Sequence, residues 1–279
     1  MTASALISIL LTPLAGGALA SLLIGRKTDQ PCGLLLHSVN SNPLPSMSSL
    51  HQNTFKEFLN CLNAAKIPAA TLFESRLNAG KKVILTFDDG LLDYYTHAFP
   101  LLEEKKMKST VFMVAGFMGG KSSWDVMGRA DHLTKPMLRE ISDSGHEIGS
   151  HTLTHANLVW LDDMDLKREL FDSKKILEDI TGKEVKSISF PFGFWNDRVW
   201  EMAKEAGYER GTVYRHHNRT KEGLLPVFGV YRFDRASDIF ARIFPNSGIS
   251  TSRALAVIMS QFSKGSPIWK FRKEYTHFP

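Results

Sequence analysis

Two aspartates stand side by side at the end of an apolar run, in Thr86-Phe87-Asp88-Asp89-Gly90. Two histidines stand four apart further on, in His151-Thr152-Leu153-Thr154-His155. Adjacent carboxylates at a buried strand end repel each other and are hard to desolvate. A cation relieves that cost, and the pair can divide the work, one ligating a metal and the other accepting a proton. An i, i+4 spacing puts two imidazoles on one face of a helical turn, within reach of one ion. Two His and one carboxylate around an open position make a hydrolytic or oxidative metal site. Each motif alone has a plainer reading. Asp-Asp-Gly is ordinary turn chemistry, and an isolated HxxxH is more often a pair of surface or capping histidines. Both motifs, each after a strand of one sheet, are much harder to obtain by chance.

Reacting groups in α/β barrels sit at the C-terminal ends of strands. The runs Gly33–His37, Val83–Phe87, Thr110–Val114, Glu147–Ser150, Ser187–Phe190, Gly211–Tyr214 and Gly229–Phe233 have strand length. Several are continuously apolar, as parallel strands buried on both faces are. The first ends in His37, the second in the double aspartate and the fourth at His151. The fifth ends in Ser189-Phe190-Pro191-Phe192-Gly193, and the seventh carries Arg232. Helical signals lie between the runs. Thr54-x-x-Glu57 reads as a capping box, ahead of a stripe at Phe55, Phe58, Leu59 and Leu62. Pro136 suits the first turn of a helix that stops before Gly145. Leu166, Leu170, Leu177 and Ile180 line a helix closed by Gly182, and Asn196 caps one running to Ala206. The stretch 40–51 is rich in Ser, Asn and Pro and reads as a loop. This alternation predicts βαβ units and a parallel sheet, either closed into a barrel or open and doubly wound. No GxGxxG or Walker-type loop follows an early strand, which weakens a nucleotide-binding reading.

The 279 residues are 43% hydrophobic and 23% charged, which excludes disorder and a multi-spanning membrane protein. Cys32 and Cys61 are the two cysteines, too few for a disulfide scaffold or a Cys-rich zinc site. The net charge of +5 comes with no basic tract dense enough to argue for nucleic acid. Residues 1–25 carry no charge, and Ala5–Gly25 has about the length of a membrane span. No Lys or Arg precedes that run, as a signal peptide would require. Arg26 and Lys27 follow it, which by the positive-inside rule leaves the downstream domain cytoplasmic. Ala18-Leu19-Ala20 keeps a cleaved signal peptide as the rival, and Pro13, Gly16 and Gly17 a re-entrant segment. The expected organisation is a membrane anchor or signal segment over residues 1–27 and one barrel domain over residues 28–279. Such a protein is membrane-associated or secreted, with its orientation and oligomeric state open.

The motifs and their flanks resemble the polysaccharide deacetylases, carbohydrate esterase family 4, named for the nodulation-type chitooligosaccharide deacetylases. Thr86–Gly90 matches the family's TFDDG in full, and His151–His155 matches its H-[ST]-x-x-H. Gly145-His146-Glu147-Ile148-Gly149-Ser150 runs into the histidine as the family does. Leu34-Leu35-Leu36-His37-Ser38 resembles the opening strand of a subgroup that partly deacetylates poly-N-acetylglucosamine in biofilms. The similarity runs from about Gly33 to Arg232. It implies a distorted (β/α)7 barrel and a divalent ion, usually zinc, held by Asp89, His151 and His155. It implies Asp88 as general base and an oxyanion loop at Pro191-Phe192-Gly193, where the family has Pro-Tyr-Gly. The implied reaction removes N-acetyl groups from an acetylated amino-sugar glycan and releases acetate.

The chain also departs from the family pattern. Many members place an Arg before the oxyanion loop to brace the catalytic Asp, whereas Ser189 and Phe190 stand nearby here. Arg232 is the candidate to reach Asp88 instead, its ordinary alternative being a surface salt bridge. The late Leu-x-His motif that supplies the acid is not evident, and the tail offers only His277. His37 is the substitute candidate, its alternative being a hydrogen-bonded supporting histidine. His216 and His217 read as loop residues. Trp124, Trp160 and Trp195 could stack on sugar faces, with core packing the better expectation for at least two. Two other readings stay open: a non-catalytic carbohydrate-binding relative, and a hydrolase of another non-peptide C–N bond or of an O-acetyl ester.

Overall fold

A computed structural model describes residues 32–42, 46–76, 82–122, 130–214 and 221–243. The hydrophobic segment over residues 1–27, Trp124, His216, His217 and His277 lie outside them. No helix among the described residues is long and apolar enough to cross a membrane.

The strands are β1 (Cys32–Leu36), β2 (Ser38–Asn40), β3 (Ser49–His51), β4 (Ala69–Ala70) and β5 (Val83–Phe87). They continue with β6 (Thr110–Met113), β7 (Glu147–Ser150), β8 (Ser187–Ser189), β9 (Arg210–Tyr214) and β10 (Leu224–Gly229). Strands β1, β5, β6, β7, β8, β9 and β10 pair in parallel in that order. β10 then pairs back with β1, which closes a seven-stranded barrel. β4 adds to β5, and β2 and β3 form a separate two-stranded parallel sheet. Alternation along each strand divides the core in two. Leu35, Ile84, Phe112, Tyr214, Leu225 and Val227 share one cluster. Their neighbours Leu34, Leu36, Val83, Leu85, Val111 and Met113 join the larger one, which also contains the apolar helix faces. With both faces covered, β1 and β5 are buried at every position, which is why their sequences run apolar without a break.

The helices are α1 (Gln52–Ala64), α2 (Phe99–Glu104), α3 (Lys135–Asp143), α4 (Asp163–Thr181), α5 (Asp197–Glu205) and α6 (Ala236–Arg242). Most local signals hold. Pro136 sits in the first turn of α3, and Gly182 closes α4 at φ 66°. The Asn196 side chain accepts the Val199 N–H at 2.9 Å to cap α5. The stripe of α1 is buried at Phe55, Phe58, Leu59 and Leu62, but α1 starts before the Thr54 box. The chain leaves β3 at His51, whose Nδ1 accepts the Asn53 N–H at 3.1 Å, so Thr54 and Glu57 fall inside the helix. The stretch 40–51 accordingly contains β3 as well as loop.

The last barrel strand is Leu224–Gly229 rather than Gly229–Phe233. Pro226 within the run argues against a strand from sequence, yet it pairs with Val213 of β9. Val230 N–H still donates to Leu35 C=O at 2.8 Å. The next amide, Tyr231 N–H, donates instead to the Asp234 carboxylate at 2.7 Å, turning the chain toward α6. Arg232 therefore lies in a loop and not on a strand.

Candidate active site

β5 delivers the two aspartates. Its pairing with β1 continues through the Asp88 N–H, which donates to Leu36 C=O at 2.9 Å. Beyond it the backbone is left-handed at Asp89 (φ 69°) and Gly90 (φ 65°). Glycine is needed at the second position, because a Cβ there would lie 2.2 Å from Met113 Sδ. Asp tolerates the first position better than most residues, although the region disfavours L side chains by roughly 1–2 kcal/mol.

β7 delivers the histidines, but not on a helical turn. Residues 151–155 form a loop in which Thr152 (φ 68°) and His155 (φ 63°) are left-handed. Ala115 N–H donates to Thr152 C=O at 3.0 Å, and Gly116 N–H to Leu153 C=O at 2.8 Å. From α4, one oxygen of Glu169 accepts the N–H groups of Leu153 and Thr154, both at 2.9 Å. Its other oxygen accepts the Thr154 hydroxyl at 2.6 Å. The two imidazoles end with ring centroids 4.8 Å apart. Phe192 (φ 60°) sets its ring 4.6 Å from that of His155. Four of the six described non-glycine residues with positive φ thus surround one site, while Lys66 and Lys106 only follow the ends of α1 and α2. Strain of this kind collects at functional sites.

Asp89 Oδ1 lies 3.5 Å from His151 Nε2 and 3.4 Å from His155 Nε2. The three donor atoms all fall within 4.8 Å of one another. Asp89 Oδ1 is buried without a hydrogen bond of normal geometry. Two imidazole nitrogens and a carboxylate oxygen converging on an unsatisfied point fit a divalent cation with an open coordination position. The tautomer agrees. His151 Nδ1 donates to Ser189 C=O at 2.8 Å, which leaves Nε2 as the lone pair facing Asp89. Burial, reinforced by the neighbouring His155, pushes the His151 imidazole down to about 3 and keeps it neutral. Burial works against ionisation of Asp89, but the close approach and field of His155, with the fields of His37 and His151, outweigh it and hold the carboxyl well below its usual range. A neutral imidazole and an ionised carboxylate are the states that bind metal.

Asp88 differs from its neighbour. Burial lifts its carboxyl well above the usual range, the Ser189 hydrogen bond opposes this, and the Asp89 charge adds to it. Ser189 Oγ donates to Asp88 Oδ2 at 2.7 Å, and that oxygen lies 3.9 Å from His151 Nε2. Asp88 Oδ1 is buried and accepts no hydrogen bond among the described residues. A carboxylate whose proton affinity is raised by burial, with one bare oxygen, is suited to take a proton.

The other candidates lie around this centre. His37 follows β1 directly, is half-buried, and its charge acts on Asp89. Pro191-Phe192-Gly193 forms a tight turn after β8, where a Cβ on Gly193 would lie 2.3 Å from the Tyr214 ring. Arg232 is half-buried, with its N–H on Met47 C=O at 2.8 Å. Ser189 supplies a hydrogen bond to Asp88. Trp195 packs against the core, stacked on Phe190, whereas Trp160 is 54% exposed. Three residues bonded to the site are absent from both motifs: Ser189, Glu169 and His132, whose Nδ1 donates to Asp89 C=O at 2.9 Å. Glu169 leaves a trace in the sequence, a charged residue beside Leu170 on an otherwise apolar stripe. His132 leaves none.

The polysaccharide deacetylase family profile matches residues 75–211. The peptidoglycan-N-acetylglucosamine deacetylase of Bacillus cereus is 37% identical over 194 residues, spanning 67% of this chain and 84% of that protein. YxkH of Bacillus subtilis, which bears a polysaccharide deacetylase name, is 32% identical over 199 residues, 67% of this chain and 66% of that protein. The fold superposes with a TM-score of 0.65 on the Streptococcus pyogenes deacetylase PplD, solved in complex with acetate. That match is 21% identical and covers 77% of this chain and 99% of the other. The chain belongs to the polysaccharide deacetylase family, whose members hydrolyse carbon–nitrogen bonds other than peptide bonds.

Proposed function

We propose that this protein is a metal-dependent hydrolase that removes N-acetyl groups from an amino-sugar glycan. One observation carries the reading: a converging ligand set, an ionised Asp89 with the imidazoles of His151 and His155, next to a separate buried carboxylate with a raised pKa. N-acetylglucosamine units are the favoured substrate, on the strength of the Bacillus cereus relative. The uncharged run over residues 5–25 supports attachment at a membrane.

Asp89, His151 and His155 would hold the ion, and their mixed oxygen and imidazole donors favour zinc. When bound, the ion supplies Lewis acidity to the acetyl carbonyl and lowers the pKa of the attacking water. Asp88 takes the water proton at Oδ1 while Ser189 keeps Oδ2 oriented. The backbone N–H of Phe192 donates to the oxyanion as the carbonyl carbon becomes tetrahedral. His37, at the β1 end beside Asp89, gives the leaving amine its proton as the C–N bond breaks. Acetate and the free amino sugar leave. Arg232, in the loop after β10, is the candidate to brace Asp88 alongside Ser189.

The test is acetate release from a panel of N-acetylated and O-acetylated oligosaccharides, with and without a chelator. Asp88→Asn is expected to lower turnover at least a thousandfold while zinc still binds. Wild-type turnover in that variant, or turnover indifferent to chelation, sinks the assignment. Zinc and glycan binding with no acetate released would make the protein a binding relative instead.

A further inference from the structure

We propose that His132 is a positioning residue that sets the backbone of the metal ligand Asp89. This rests on the ligand assignment above and extends it. His132 is 2% exposed and lies ahead of α3. Its Nδ1 stands 2.9 Å from the backbone carbonyl oxygen of Asp89. A carbonyl can only accept, so Nδ1 carries the proton and donates. Main-chain bonds join the two segments around it. His132 forms an antiparallel bridge with Leu91. Leu133 N–H donates to Gly90 C=O at 2.9 Å, and Leu92 N–H to Asp131 C=O at 2.8 Å. The His132 N–H goes to Gly120 C=O at 3.0 Å, and its ring lies 5.9 Å from that of Phe117. Residues 131–133 therefore run along the turn 89–92, and the His132 side chain extends that contact to Asp89 itself.

Asp89 needs the support because its φ of 69° is one that L side chains rarely adopt. Fixing the carbonyl fixes the peptide plane that follows Asp89, and with it the left-handed turn. If the turn relaxed, the carboxylate would swing away from His151 and His155. Loss of the His132 donor would also leave a carbonyl in a dry setting without its partner. The bond thus acts on the ligand's backbone, whereas the Ser189 bonds act on the side chains of Asp88 and His151.

Four variants separate the hydrogen bond from bulk. His132→Asn keeps a donor at the δ position, and His132→Gln moves it one atom further. His132→Phe fills the ring volume without a donor, and His132→Ala removes both. The probe is zinc alone, titrated into the full chain against a chromophoric chelator. Affinity is expected to fall at least tenfold in H132Q, H132F and H132A and to stay within about threefold of wild type in H132N, the scale usual for groups that orient metal ligands. H132N as weak as H132A, or H132Q as strong as wild type, overturns the role. Should H132A or H132F fail to fold, the comparison of H132N with H132Q still decides. A wild-type chain that binds no zinc overturns the ligand assignment itself. Zinc binding that is equal in wild type and H132Q removes only His132.

Discussion

Ser189 serves two partners with its two ends. Its hydroxyl donates to Asp88 Oδ2 at 2.7 Å, and its carbonyl accepts from His151 Nδ1 at 2.8 Å. Ser189→Ala removes the first bond and keeps the second, because the carbonyl belongs to the backbone. A hydrogen bond to a charged group is worth about 1.5–3 kcal/mol, and about 1.4 kcal/mol is tenfold in rate. We expect kcat to fall about 10- to 100-fold in S189A, with KM and zinc affinity within about twofold of wild type. Steady-state kinetics and a zinc titration decide it, and an equal loss of zinc binding would show that Ser189 acts by general packing instead. The two motifs were legible because their residues are neighbours in sequence. Ser189 stood beside the oxyanion loop in the sequence, but its partners come from β5 and the loop after β7, which only the barrel register brings together.

The HxxxH segment is held by an element outside it. Glu169 of α4 accepts two amides and one hydroxyl from Leu153 and Thr154, so the loop with two left-handed residues keeps one shape. Glu169→Ala removes the acceptor that those donors share at a buried position, and each lost bond of this kind costs about 1–3 kcal/mol. We expect E169A to lose about 2–4 kcal/mol in urea unfolding and at least tenfold in zinc affinity. Glu169→Gln should keep most of both, since its amide oxygen can accept the two N–H groups while its NH2 faces Thr154 Oγ1. A loss below about 0.5 kcal/mol in E169A would remove the bracing role. Element positions were readable where the signal is local, as at Pro136, Gly182 and Asn196. They depart from the local pattern where tertiary contacts decide. His51 caps α1 in place of Thr54, the last strand accepts Pro226, and the histidine loop is not helical.

Closure is a property of the whole barrel. Counting seven apolar runs predicts a parallel sheet, and the periodicity alone leaves a barrel and an open sheet equally available. What distinguishes them is the β1–β10 pairing, between strands near opposite ends of the described chain. Local pattern cannot report such a pairing, so the barrel was legible only through the family resemblance. The seam is locked by α6. Arg242 is fully buried and donates to Gly229 C=O of β10 at 2.9 Å. Its guanidinium also makes a two-point pair with Asp234, one arm at 2.6 Å, and Asp234 in turn accepts the Tyr231 N–H that ends β10. A buried ion pair adds little net stability over apolar residues, but half of one is strongly destabilising, by about 3–5 kcal/mol. Arg242→Met should therefore lose about that much in urea unfolding, because the Asp234 charge is left buried alone. Arg242→Met with Asp234→Asn should lose less than the sum of the single changes, since Asn still accepts the Tyr231 N–H and carries no charge. The coupling expected from that double-mutant cycle exceeds about 1 kcal/mol. Additive losses would mean that the two side chains stabilise the seam independently and that α6 docks by its apolar face. The ligand Asp89 lies just beyond β5, the strand that pairs with the seam strand β1. Coupled loss at the seam should thus also weaken zinc affinity in R242M, and the double variant should recover it.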